Sequence, residues 1–189
     1  RFSFPRILEG IEAELRNGAS HRASLQKELG IITNRIIRWT DRFFPEFQHV
    51  FKDIGKTALA VLEKTPLPKD LREKEVAELL PFYKEVEGLK CVSSPKIIKL
   101  KEAAEISIGL NEGLEMARFE IHTLVMQYRL VQQQYELLAE RLQEIAQNMP
   151  DYIFLVSIEG VGPNTAVELL SEIGPFTNFH GPRQIIKLA

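Results

Sequence analysis

From Leu114 to Met149 the apolar residues never fall out of step: Leu114, Ala117, Ile121, Leu124, Tyr128, Val131, Tyr135, Leu138, Leu142, Ile145 and Met149 follow one another at alternating gaps of three and four. A seven-residue repeat sustained this far keeps one narrow stripe turned toward a partner helix, and it predicts a left-handed coiled coil. At about 1.5 Å of rise per residue the stretch covers roughly 50 Å, longer than a small globular core needs. Pro150 closes it. Backward, the stripe extends through Leu110 to Ala103 and Leu100, with a bend expected where Gly109 and Gly113 each weaken helix by ~1 kcal/mol relative to alanine. Tyr128 and Tyr135 carry hydroxyls that must reach the edge of the seam, which argues for more than two helices. The expected oligomerisation residues are Leu114, Ile121, Leu124, Tyr128, Val131, Tyr135, Leu138, Leu142 and Ile145, whether the coil pairs within the chain or with a second copy.

Elsewhere the chain is cut by prolines and glycines into further helical pieces, and no run alternates apolar and polar as a half-buried strand does. A short amphipathic stretch from Ile7 to Leu15 ends at an Asn17-Gly18 break, after which Leu25, Leu29, Ile32, Ile36, Trp39 and Phe43 again alternate by four and three. Pro45 stops this helix, because proline disfavours helical geometry in the residue before it. Phe44, Phe47, Val50 and Phe51 precede a short helix at Thr57 to Leu62, and brief helices follow from Pro66 to near Gly88 over a small aromatic core. The expected fold is mainly α: long coiled-coil helices, a small helical middle region and a C-terminal helix-hairpin-helix. Its segments are a first coiled-coil region at 1–45, a short-helix linker at 46–98, a second coiled-coil helix at 99–150 and a C-terminal piece at 151–189.

With 24 basic and 26 acidic side chains the formal net charge is -2, so any nucleic-acid surface must be local. The single Cys91 forms no intrachain disulfide and has no companions at zinc-ligand spacing, and His21, His49, His122 and His180 show neither triad nor metal spacing. No metal, redox or catalytic residue is expected. No apolar run reaches the ~20 residues of a membrane span, and the opening residues lack a signal-peptide pattern. The reading is a cytoplasmic, bacterial protein. Without an initiator Met, and with a last helix from Pro182 that lacks a cap, the chain is read as a fragment.

The segment with chemical content runs Leu155-Val-Ser-Ile158-Glu-Gly160-Val161-Gly162-Pro163-Asn164-Thr165-Ala166. Two apolar helix ends flank a Gly-Val-Gly turn whose glycines are free to take positive φ and let another backbone approach, with Val161 pinned between the helices. A tight αα-hairpin with Pro163 at the first helical position would need the same glycines. The further match at Leu155, Ile158, Ala166, Leu169 and Leu170 favours the helix-hairpin-helix. Turn amides beside a helix N-terminus hold phosphate without reading a base, so the expected contacts of Gly160, Val161, Gly162, Asn164 and Thr165 are to nucleic-acid backbone. Glu159 and the lack of Lys or Arg between Asp151 and Arg183 make this a weak anchor.

Basic charge gathers on the first helix, where Arg16, Arg22, Lys27, Arg35, Arg38 and Arg42 are set against only Glu28 and Asp41. Arg22, Arg35, Arg38 and Arg42 are the expected phosphate contacts, and such contacts are steeply salt-dependent; the same arginines would equally serve as a solvated helix face. Lys96, Lys99 and Lys101 form a second, weaker cluster.

Taken in order, Phe44-Pro45-Glu46-Phe47, Val50-Phe51-Lys52, Ala58 to Leu62 before Pro66, Ala103-Ala104, Ser107-Ile108-Gly109 and above all Leu155 to Ala166 with Glu172-Ile173-Gly174 and Phe179 resemble insertion-sequence transposases of the IS110, IS116 and IS902 family. Glu159 stands where that family commonly has proline. The resemblance implies a parent with an upstream RuvC-like domain whose carboxylates bind magnesium and a downstream domain bearing a serine nucleophile. It implies that this chain lies between the two, so that no catalytic residue or cofactor carries over to it. It further implies DNA as partner, a structured guide RNA, and work as a homo-oligomer.

The function expected is thus a non-catalytic part of a DNA transposase or recombinase, serving oligomer assembly and sequence-independent nucleic-acid binding in DNA transposition. A repair or junction-binding protein with a lone helix-hairpin-helix, and a purely structural coiled-coil scaffold, are the alternatives.

Overall fold

The computed structural model describes residues 8–86, 89 and 92–179; Ile7, Gly88, Cys91, His180 and the expected helix from Pro182 lie outside them. The described residues are helical without strands: α1 (Gly10–Phe43), α2 (Phe47–Val50), α3 (Lys56–Lys64), α4 (Pro68–Arg72), α5 (Val76–Lys84), α6 (Ser94–Glu105), α7 (Leu114–Ala146), α8 (Pro150–Val156), α9 (Pro163–Ile173) and a 3-10 turn at Phe176–Asn178. None of these helices is long and apolar enough to cross a membrane. The chain divides into two compact units, one from Arg1–Glu28 and Val131–Ala189 and the other from Leu29–Leu130.

In the first unit the start of α1 meets the end of α7. Leu15 shares a core with Leu142, Ala146, Met149, Tyr152, Leu155, Ala166, Val167 and Leu170. The break expected at Asn17-Gly18 does not occur, because α1 runs through it. Gly18 serves close approach instead: a Cβ there would stand 2.4 Å from Leu142 Cδ2. Contact with a neighbouring helix outweighs the ~1 kcal/mol by which glycine disfavours helix. The second long helix ends at Ala146, ahead of Pro150, since Met149 turns into the core and precedes α8 with Pro150 at its first position. Beyond α9, the Asp151 carboxylate accepts the Phe176 N–H at 3.1 Å and folds the chain back onto α8.

In the second unit the end of α1 meets the start of α7. The Trp39 indole donates to the Ala117 carbonyl at 2.9 Å, which satisfies the polar edge of a ring only 1% exposed. Phe44, Phe47 and Phe51 form the expected aromatic core, with Phe47 stacked on Phe51 at 4.8 Å between centroids. The helix read at Thr57 to Leu62 is α3, whose Ala58 to Leu62 are all buried. Arg118 holds α7 to α4 through a bidentate pair with Asp70 at 2.9 and 2.6 Å, and Arg129 holds it to α3 through Glu63. Where a bend was expected the helix stops: α6 ends at Glu105, and residues 106–113 form a loop before α7. Gly113 turns it with φ +68, while Gly109 lies so close to α1 that a Cβ would stand 2.2 Å from the Phe43 carbonyl oxygen.

Both units therefore pack part of α1 against part of α7. Ile121, Leu124, Val131 and Leu142 of the expected oligomerisation stripe are buried inside the chain itself, and Leu114, Tyr128, Tyr135, Leu138 and Ile145 are half-buried.

Candidate nucleic-acid interface

The Gly-Val-Gly turn joins α8 to α9 in the first unit. Gly160 has φ +87, a left-handed conformation that costs a side-chain-bearing residue dearly, and its carbonyl neighbours are ordered by the Val161 N–H donating to Ile158 at 3.0 Å. Gly162 departs from the expectation, since its φ of -81 and ψ of 168 are extended backbone open to any residue. Neither glycine has an atom within 4 Å of an added Cβ, so both face open space. Val161 is half-buried, packed against the core that includes Leu15, Leu155 and Leu170.

Pro163 opens α9, and the first backbone bond of that helix is Ala166 N–H to the Gly162 carbonyl at 3.0 Å. The amides of Asn164 and Thr165 have no acceptor among the described residues, and no side chain caps this end. Two exposed residues thus present free N–H groups at the positive end of an eleven-residue helix. α9 carries no basic residue, and the neighbouring Glu159 is exposed.

The two arginines of α1 in this unit are directed at α9 itself. Arg22 is buried, its side chain 5% exposed, and donates to Glu168 at 2.7 Å. Arg16 donates to the Ser171 carbonyl at 3.1 Å and to Glu172 at 2.9 Å. These pairs clamp α9 onto α1, so Arg22, expected as a phosphate contact, is a structural tie. Sequence inspection missed it because the carboxylates that neutralise the basic helix lie more than a hundred residues away.

The remaining expected cations stand in the second unit. Arg35, Arg38 and Arg42 are exposed and spaced three and four apart, on one face of α1. Arg35 and Arg38 have no ion-pair or hydrogen-bond partner among the described residues. Arg42 lies 4.7 Å over the Phe43 ring and 3.7 Å from Glu120, which partly neutralises it. No group of three or more His, Cys, Asp or Glu side chains among the described residues is placed to hold a metal ion.

Residues 153–189 match the family model described as Transposase IS116/IS110/IS902 family, a span that begins in α8 and includes the turn and α9. No curated protein matches the chain. The match supports, over that span, the resemblance read from the sequence.

Proposed function

We propose that this chain is a non-catalytic part of a DNA transposase, which assembles the protein and holds nucleic acid through its backbone during strand cleavage and joining elsewhere in the enzyme. The carrying observation is the coincidence of the family match with the α8–α9 turn, whose outward amides at Asn164 and Thr165 have no acceptor among the described residues. Free amides at a helix N-terminus favour an anion without reading a base. Glu159 and the internal pairing of Arg16 and Arg22 limit what this end contributes alone. The larger electrostatic share falls to Arg35 and Arg38, exposed cations of α1 without an ion-pair partner among the described residues. A structured RNA suits these groups as well as duplex DNA does, because both present phosphodiesters.

Equilibrium binding of duplex DNA to two variants tests the division of labour. Gly162→Ala keeps an allowed backbone and adds only a methyl group where a phosphate would approach. Arg35→Glu with Arg38→Glu reverses two charges. The reading expects a several-fold loss for the first and a loss of tenfold or more for the second. Unchanged affinity in both would contradict it and leave the helix-hairpin-helix as a structural terminus.

A further inference from the structure

We propose that the cavity between α2, the start of α3 and the start of α6 binds a phosphomonoester, a phosphate carried on one substituent only, as on a free nucleotide or at the phosphorylated end of a strand. The cavity measures about 470 Å³ and is lined by His49, Lys52, Asp53, Lys56, Thr57 and Lys96, all within the second unit. That volume falls among small-ligand clefts, which span roughly 300–1,000 Å³. Lys96 stands in the sequence beside Lys99 and Lys101, yet the structure parts them. Lys101 turns inward, donating to the Lys74 carbonyl at 2.6 Å and pairing with Glu75 at 3.5 Å. Lys96 lies 4.7 Å over the Phe51 ring, which is 2% exposed and stacked on Phe47, so a fixed aromatic holds its ammonium at the cavity wall. Lys52, Lys56 and Lys96 are exposed, and none has an ion-pair partner among the described residues.

Backbone donors meet these cations. The first backbone bond of α3 runs from the Leu59 N–H to the Gly55 carbonyl at 3.0 Å. The N–H groups of Lys56, Thr57 and Ala58 have no acceptor among the described residues, and no side chain caps this end. Ala58 lines the cavity and is only 1% exposed, so its amide is a buried donor without a partner, which folded chains rarely leave. Nothing lies within 4 Å of a Cβ added at Gly55, and the approach to the amides is open. Charge then decides the class of ligand. Three lysines against Asp53, the one carboxylate that lines the cavity, leave two positive charges. A phosphomonoester carries about -1.5 to -2 at neutral pH, with three strong acceptor oxygens, whereas an internal phosphodiester carries a single charge. The monoester therefore matches both the charge and the convergent ammonium and amide donors. The site shares no residue with the Gly160 turn or with the Arg35 and Arg38 face, and it stands without them.

Calorimetric titration of the full chain tests this, with inorganic phosphate, adenosine monophosphate and dimethyl phosphate as probes. The first two are expected to bind saturably and at least tenfold more tightly than the diester. Lys52→Gln with Lys96→Gln should weaken both by tenfold or more. Lys56→Pro should do the same with α3 intact, because proline suits a first helical position after the extended Gly55 while removing one amide and one ammonium. Asp53→Asn should tighten binding several-fold, a gain that misfolding does not produce. Arg35→Glu with Arg38→Glu should leave adenosine monophosphate binding unchanged even where duplex binding is lost, so the two readings fail separately. A short DNA strand with a phosphorylated end, compared with its hydroxyl-ended counterpart and with adenosine monophosphate, identifies the source. Tighter binding of the phosphorylated strand names a strand end and equal affinity names a free nucleotide, and both uphold the proposal. No saturable binding of phosphate or adenosine monophosphate, equal affinity for dimethyl phosphate, or binding that survives both lysine variants overturns it.

Discussion

Glu46, two residues beyond the end of α1's aromatic close, accepts the backbone N–H of Ile108 at 3.0 Å through Oε1. Next to it the Leu110 N–H donates to the Arg42 carbonyl at 2.9 Å, and Gly109 presses on Phe43. Two sequence pieces that carried the family resemblance separately, Phe44-Pro45-Glu46-Phe47 and Ser107-Ile108-Gly109, are therefore the two sides of one contact. Their shared role is to fix the loop that leads into α7.

The charge on Glu46 makes this contact sensitive to acid. Burial acts to raise its pKa, but hydrogen bonds with Ser107, Ile108 and its own backbone, with the nearby His49, outweigh it and hold the carboxyl below its ordinary 4.5. A carboxyl lowered on folding stabilises the native state above the unfolded value and loses that contribution as pH falls through the folded one. Glu46→Ala is expected to cost about 1 kcal/mol at neutral pH, the usual worth of one such hydrogen bond, with the deficit shrinking below pH 4. Urea melts at neutral and acid pH check it, and an equal deficit at both contradicts it.

Glycine substitutions are expected to take opposite signs. Gly109→Ala drives a methyl group onto a backbone carbonyl that has nowhere to move, and overpacking of this kind costs on the order of 3 kcal/mol. Gly30 lies in an exposed part of α1 with nothing within 4 Å of an added Cβ, so Gly30→Ala should stabilise by about 0.5–1 kcal/mol. Thermal denaturation of the two variants reads both effects; a shared sign would show that the packing at Gly109 is misassigned.

Tyr83 gives a second, alkaline marker. Its phenol is fully buried against the Thr65 hydroxyl, and burial pushes its pKa up to about 12. A raised phenol favours folding below the unfolded value of 10.0, and that advantage is lost as pH rises from there toward about 12. Wild-type stability should fall over this range by up to ~1.4 kcal/mol per pH unit more steeply than that of Tyr83→Phe. Parallel slopes for the two proteins would place the hydroxyl in water.

Arg22 and Arg38 should separate structure from binding. Removing a buried guanidinium that ties α9 to α1 is expected to lower stability by about 2–3 kcal/mol for Arg22→Ala, taken below the full buried-pair value because Glu168 is 62% exposed. Arg38→Ala, on a free exposed side chain, should leave stability within ~0.5 kcal/mol and weaken DNA binding. The reverse pattern in paired melting and binding measurements would exchange their roles.

What the sequence disclosed, and what it withheld, follows from the range of the interactions. Helical class, the stop at Pro45 and the helix around Ala58 to Leu62 depend on local periodicity and proline geometry, and all are present in the structure. Gly18 misled because its partner, Leu142, lies far along the chain: read locally it is a breaker, and in contact it is a place for helices to touch. Arg22 misled for the same reason, its carboxylate being Glu168. At the turn, the positive φ of Gly160 was legible from its residue type, while the extended backbone of Gly162 depends on how Pro163 starts α9.

The central claim is that this chain holds nucleic acid by its phosphates. The most direct measurement is the affinity of the full chain for a duplex DNA and for a structured RNA at two salt concentrations, with solution mass determined alongside. The account predicts binding to both that weakens steeply as salt rises and varies little with duplex sequence. A clean oligomer with no binding at either salt concentration would contradict it.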